Sequence, residues 1–293
     1  MNTILIRIVA MSVLVGGILP GRAETVTLLP VADAALYEDA SGALANGAGE
    51  YLFAGKTNQP LLRRSVIRFD LSSIPAGATI TQAVVRLTMD QRAGTIRLHR
   101  VTRAWNEGAA DAGGAEGSGT TSALGDTTWL HTSYDTSFWT QPGGDFAVSP
   151  SASTTLASVP GQVVLTSAQL AADARAMLAA PAQNFGWMIV NANEASSGSA
   201  VRLASRTNAT AASRPVLEIS YTTQPFPLLY YDFSEGGGTT VTNLGSLAVN
   251  GTLMGAAGDE RWVTGPRGGA LEFDGQNLPD GDYISTALTA ATL

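Results

Sequence analysis

The stretch RRSVIRFDLSSIPAGATITQAVVRLTM, residues 63–89, alternates apolar and polar side chains on both sides of a Pro75-Ala76-Gly77 turn. In its first half Ile67, Phe69 and Leu71 fall on one face and Val66, Arg68 and Asp70 on the other. In its second half Ala83, Val85, Leu87 and Met89 oppose Val84, Arg86 and Thr88. A period of two marks a strand with one face buried, and Pro-Ala-Gly breaks the chain between two such strands. Residues 95–101 repeat the pattern, with Ile96 and Leu98 against Arg97 and His99. Further outward, 25–29, 51–54, 186–190 and 215–222 read as short strands. Turn signals about every ten residues then predict a β-sandwich or barrel.

One short helix is predicted. Thr166 or Ser167 caps it, and Gln169 stands three residues after Thr166 as in a capping box. Leu170, Ala174, Met177 and Leu178 recur at helical spacing, and Pro181 ends it. Residues 108–125, GAADAGGAEGSGTTSALG, offer almost nothing to bury and are expected to form a mobile surface loop. Trp129, His131, Tyr134, Phe138 and Trp139 follow without a regular period, up to the turn Pro142-Gly143-Gly144-Asp145.

Composition narrows the setting. The chain of 293 residues contains no cysteine, which excludes disulfides, thiolate metal sites and a cysteine nucleophile. Arg7 precedes an apolar run from Ile8 to Leu19, and small residues before position 24 read as a secretory signal peptide, 1–23, cleaved after Ala23. That run is short for a membrane span, so the expected product is secreted, extracellular or at the cell surface, with no membrane insertion after cleavage. Pro225 and Pro227 mark a linker, 223–227. Beyond it two basic residues face eight acidic ones.

The charge is unevenly placed. The chain carries a formal −7, yet between Lys56 and Arg103 nine basic residues face two acidic ones, a local +7. Alternation sets Arg68, Arg86, Arg97 and His99 opposite the apolar residues of their strands. With Arg64 they would form a basic wall if the strands were sheet neighbours. A guanidinium fork suits a carboxylate or sulfate, and a row of them would hold an anionic polymer at many points. Trp139, beside the Pro-Gly-Gly turn, is the exposed stacking candidate. The other reading is that the arginines pair with Asp70, Asp90, Glu107 or Glu218 and solvate the sheet, with Arg68 as an ion-pair anchor between the sheets. Export and the lack of lysine tracts weigh against nucleic acid.

Catalytic signatures are not found. Gly55-Lys56-Thr57 lacks the upstream glycine of a phosphate loop, because Glu50 stands there. No serine has glycine two residues away on both sides, and His99 and His131 have no metal-ligand spacing. Asp274, Asp280 and Asp282 form an acidic cluster that reads either as a polar turn or as a calcium site.

In order along the chain, LLPVADAALYED, RRSVIRFDLSSIPAGATITQAVVRLTM, VTRAWNEG, FWTQPGGDF, the helix into NFGWMIV, and VRLASRTNATAASRPVLEISY resemble the elements of the DNRLRE-domain family of secreted proteins, part of which is classed as a carbohydrate-binding module. Thr207 departs from the glutamate usual after Ser205-Arg206. Residues 228–293, with LYYDFSEGGGTTVTNLGS, WVTGPRGGALEFDG and DYIS, resemble the opening of a concanavalin-like LamG jelly roll. These resemblances imply an all-β protein: a jelly-roll-like β-sandwich with one short helix at 24–222, then an incomplete second β-sandwich at 228–293 that is poorly ordered or exposes sheet edges. They imply a non-catalytic module for an acidic polysaccharide of uronate type, such as alginate or pectate, within a longer multidomain chain. The runner-up is a ligand-free structural or adhesive envelope spacer. The residues expected to bind are Arg64, Arg68, Arg86, Arg97, His99 and Trp139, with no cofactor beyond that possible calcium.

Overall fold

The computed structural model describes residues 23–223, 231, 233–245, 249–254, 262–265, 268–271 and 283–286. The chain divides into two compact units, one of them Ala23–Thr223. That unit contains β1 (Ala23–Leu28), β2 (Pro30–Tyr37), β3 (Leu44–Asn46), β4 (Tyr51–Lys56), β5 (Leu62–Phe69), β6 (Thr79–Gln91), β7 (Gly94–Arg100), β8 (Thr120–Thr121), β9 (His131–Ser133), β10 (Ser137–Phe138), β11 (Ala152–Leu156) and β12 (Gly161–Thr166). Helix α1 (Ala168–Ala179) follows, then β13 (Trp187–Asn191), β14 (Val201–Ala204) and β15 (Val216–Thr222).

The strands form an all-β sandwich, as the alternation predicts. One sheet runs β8-β3-β2-β5-β13-β7-β11. In the other, long β6 pairs β12 along one edge, and β15 and β14 along the opposite edge, with β1 and β4 outside them. These ladders are antiparallel, and the β4–β5 hairpin joins the sheets through Gly55↔Arg63 and Lys56↔Leu62. Ile67 and Phe69 of β5, Val85 and Leu87 of β6, Ile96 and Leu98 of β7, and Trp187 of β13 meet in the core between them. Removing this much apolar surface from water is the main driving force for the fold.

Helix α1 closes one side of the core with Leu170, Ala174 and Met177. Its cap is Ser167, whose hydroxyl accepts from Leu170 N at 2.9 Å. Gln169 does not complete a capping box with Thr166. It donates instead to Asp173 Oδ1, one helical turn on, at 3.1 Å.

Two expectations change. The outer face of the β5–β13–β7 sheet is not open, because residues 101–146 fold back across it. Val101, Trp105, Trp129 and Trp139 pack there on Ala34, Leu36, Val66, Met188 and Val190, making a second apolar layer. This explains why β13, WMIVN, reads as a continuous apolar run: it is buried on both faces. Residues 108–125 are not a bare surface loop either. Asp126 accepts backbone N–H groups of Ala109, Ala110 and Ala123. Glu116, only 6% exposed, accepts from Asn46 Nδ2 and from the N–H groups of Glu50 and Tyr51. The segment buries acids and backbone rather than apolar side chains, a signal that hydropathy does not register.

In the second unit β16 (Thr240–Val241), β17 (Gly251–Met254) and β20 (Tyr283–Thr286) form one small sheet. Strands β18 (Trp262–Gly265) and β19 (Gly268–Leu271) form a hairpin. Tyr231, Phe233, Val241, Leu253 and Leu271 are buried together. Most of the predicted signal peptide and linker, and the acidic cluster at 274–282, lie outside the described residues. No helix among the described residues is long and apolar enough to cross a membrane.

Candidate binding cleft

The arginine wall does not form as predicted. Arg64, Arg68, Arg97 and His99 do lie on one face, the outer face of the β5–β13–β7 sheet, because β13 joins β5 and β7. Arg86 lies in the other sheet, because the connection from β5 to β6 crosses the sandwich instead of turning back as a hairpin. There it forms a two-pronged pair with Glu218, Nε and Nη2 to the two carboxylate oxygens at 3.0 Å each. The pair holds Glu218 below, and Arg86 above, its ordinary pKa. Both side chains are about one-third exposed, so the pair contributes about 0–1 kcal/mol. Arg86→Ala is expected to lower the unfolding free energy by less than about 1 kcal/mol and to leave glycan retention unchanged, as urea unfolding and gel retardation would measure.

The remaining predicted residues sort by how far the 101–146 cover reaches. His99 is buried, its ring edge-on to Phe146 at 5.2 Å, with Nδ1 2.9 Å from Ala147 O. Burial pushes its pKa below the usual value, and the Arg97 and Arg64 charges add to this. Trp139 is 5% exposed and donates its Nε1–H to Thr128 O at 3.0 Å, so it is core and not a stacking platform. Arg68 stacks over Trp105, 5.5 Å from the ring centroid, and Trp105 donates to Phe185 O at 2.8 Å. Arg68 has no acidic partner among the described residues and faces away from the main core, so it is not an anchor between the sheets. Arg97 is exposed on β7.

Arg64 is the predicted residue that borders a cleft. Its Nε and Nη2 each donate to Glu194 at 2.8 Å, and Nη1 donates to Gly143 O at 3.0 Å. The guanidinium lies 5.3 Å from the Trp129 ring centroid and 5.2 Å from that of Phe146. A guanidinium has five N–H donors, so two remain uncommitted. The close approach depends on Gly143, at φ +85°, where a Cβ would come within 2.7 Å of Arg64 Nη1 and 2.8 Å of the Trp129 ring. At Gly144 a Cβ would come within 2.2 Å of Met188 Cε.

Beside this turn is a cleft of about 760 Å³, lined in part by Arg64, Arg103, Thr140, Gln141, Phe146 and Phe185. Asp145 fixes its floor. Its carboxylate accepts from Thr140 N at 2.8 Å, Gln141 N at 3.1 Å and Arg103 Nε at 2.7 Å. Burial pushes this carboxyl up, but the hydrogen bonds from Thr140, Arg103 and Gln141 together outweigh it and hold its pKa below the ordinary value. Arg103, half exposed, also donates Nη2 to Thr140 Oγ1 at 2.8 Å, which leaves Nη1 without a hydrogen-bond partner among the described residues. Sequence reading passed over Arg103 because it follows β7, where strand alternation no longer assigns a face. Its one signal was its place beside Trp105 in VTRAWNEG.

A second polar cluster joins motifs far apart in the chain. Glu107 forms a two-pronged pair with Arg206, and one of its oxygens accepts Asp33 N at 2.8 Å. Asp33 Oδ2 accepts Arg206 N at 2.7 Å, while Oδ1 is buried without a partner. Thr207 donates to Gly49 O at 2.6 Å, tying the same corner to the turn before β4.

The unit is thus an all-β sandwich with a covered sheet face and a polar, aromatic-edged cleft cut into the cover. Compared with known proteins, the chain matches no family model and no curated protein sequence. Among the described residues no group of three or more His, Cys, Asp or Glu side chains is placed to hold a metal ion.

Proposed function

We propose that residues 23–223 are a secreted, non-catalytic carbohydrate-binding module of the DNRLRE type that takes an acidic polysaccharide of uronate type, such as alginate or pectate. The second unit is, on the same proposal, the opening of a LamG-like domain in a longer chain. The observation carrying this reading is the cleft. Two guanidinium groups, Arg64 and Arg103, border it with uncommitted N–H donors, and Phe146 and Phe185 line it together with Thr140 and Gln141. Paired N–H donors match a sugar carboxylate, and aromatic walls match the C–H face of a ring. Binding is therefore assigned to a cleft with two arginines and not to a row across a sheet.

A second reading, a ligand-free spacer, is favoured by how fully the arginines are matched within the fold. Arg64–Glu194, Arg86–Glu218, Arg202–Asp90 and Arg206–Glu107 are all paired. Affinity electrophoresis of the full chain separates the two. The module reading expects retardation by alginate or pectate that weakens as salt rises, and a loss of roughly five- to ten-fold in affinity for Arg103→Ala. A chain that no glycan retards at any salt concentration is the spacer.

A further inference from the structure

Trp139 is buried, but the residue before it is not. Phe138 is 60% exposed, the largest exposed aromatic surface in the unit. Its ring is held from beneath. The His131 ring lies 4.3 Å from it between centroids, and Tyr134 meets His131 at 5.0 Å, near edge-on. His131 is itself fixed, with Nδ1 2.9 Å from Thr128 Oγ1. The same Thr128 accepts the Trp139 indole N–H at its carbonyl. The three rings sit on the β9–β10 hairpin, where Thr132 and Ser137 hydroxyls are 2.6 Å apart. Burial keeps His131 below its usual pKa, with the Asp135 charge and the Gly42 backbone opposing.

We propose that Phe138, braced by His131 and Tyr134, is a second sugar-binding subsite that stacks on the C–H face of a pyranose ring next to the one in the cleft. The proposal rests on the glycan reading of the cleft. Phe138 and Thr140 are both exposed while Trp139 between them is buried, and, two residues apart, their Cα atoms lie within roughly 7 Å of each other. Thr140 lines the cleft. A chain leaving the cleft past Thr140 therefore meets the Phe138 ring within about one sugar unit. The surroundings fit a sugar better than a protein partner: a single exposed aromatic ring, braced by His131, is small and rigid. A protein-docking surface would be a wide apolar patch.

The test uses the full chain, as native protein and as Phe138→Ala, Phe138→Trp and Arg103→Ala, in gels containing an acidic glycan (alginate) or a neutral one (a β-mannan), and by titration with a single uronic acid. Phe138→Ala should weaken alginate binding roughly three- to ten-fold, leave the single uronic acid unaffected, and be rescued by Phe138→Trp. Arg103→Ala should weaken both acidic ligands. Alginate binding unchanged in Phe138→Ala overturns the subsite while leaving the cleft standing. If alginate fails to bind but β-mannan is retained in a Phe138-dependent way, the cleft reading falls and the aromatic subsite stands. Retention of neither polymer overturns both. Thermal unfolding of Phe138→Ala should match the native chain, because the ring is exposed.

Discussion

Replacing Glu116 with alanine should lower the unfolding free energy of the first unit by about 3–5 kcal/mol, a large fraction of what a domain of this kind possesses. The carboxylate is buried and accepts three hydrogen bonds, from Asn46 Nδ2 at 2.8 Å, Glu50 N at 2.8 Å and Tyr51 N at 2.9 Å. Alanine removes the acceptor of the Glu50 and Tyr51 N–H groups and leaves Asn46 Nδ2 only its long contact to Tyr51 O at 3.4 Å. A hydrogen bond to a charged group contributes roughly 1.5–3 kcal/mol, and three sharing one acceptor add less than their sum. The backbone contacts should survive, since Tyr37 Oη donates to the Glu116 carbonyl at 2.7 Å whatever the side chain is. Glu116 already occupies the left-handed region, at φ +59°, so alanine adds no new strain there. Glu116→Gln keeps one acceptor oxygen and should fall between the two. Urea unfolding reads the difference from the midpoint, and limited proteolysis should cut 108–125 in the variant before the native chain. A loss under about 1 kcal/mol would mean that the segment is fixed by something other than this acid.

Asp33→Asn should act in the opposite direction, by an amount that grows from about pH 4 to about pH 7 and stays level above it. The Asp33 carboxyl is 1% exposed. Burial raises its pKa from 3.8 to about 7, against the lowering effect of the Arg206 N–H; the Glu107 charge raises it further and the Arg206 guanidinium opposes. A folded-state value above the unfolded one means that the folded chain binds more protons between roughly pH 4 and 7. The stabilisation from the protonated acid is full below the unfolded pKa and is lost as pH rises through about 7. Asparagine has the shape of the protonated acid, retains an oxygen for Arg206 N–H and does not ionise. The variant should match the native chain near pH 4 and exceed it by about 2–4 kcal/mol near pH 8.5. An advantage that does not grow with pH would contradict the buried, proton-holding role of Asp33.

How much was legible follows from which forces leave a periodic trace. Strands β5, β6 and β7 and helix α1 were readable because each has one apolar face, and burial imposes its own period. Which strands become sheet neighbours was not readable. The crossing from β5 to β6 and the insertion of β13 between β5 and β7 are long-range pairings, and they moved Arg86 to the far sheet. The second apolar layer left only a weak trace, the unbroken run of β13. Residues 108–125 misled because their order comes from Glu116 and Asp126 binding backbone N–H groups, and an acid in a glycine-rich stretch reads as solvated. Among the site residues, Arg64 was found through its strand. Arg103 and Phe138 lie beyond the last regular period, and Trp139 was placed on the surface where its neighbour Phe138 stands.

Hydrogen exchange of the full chain, with and without a saturating soluble uronate oligosaccharide, tests the central claim most directly. The cleft reading predicts slowed exchange confined to 102–104 and 138–146, with 81–90 and 216–220 around Arg86 and Glu218 unchanged. Protection on the Arg86 sheet instead, or none at any oligosaccharide concentration, would contradict it.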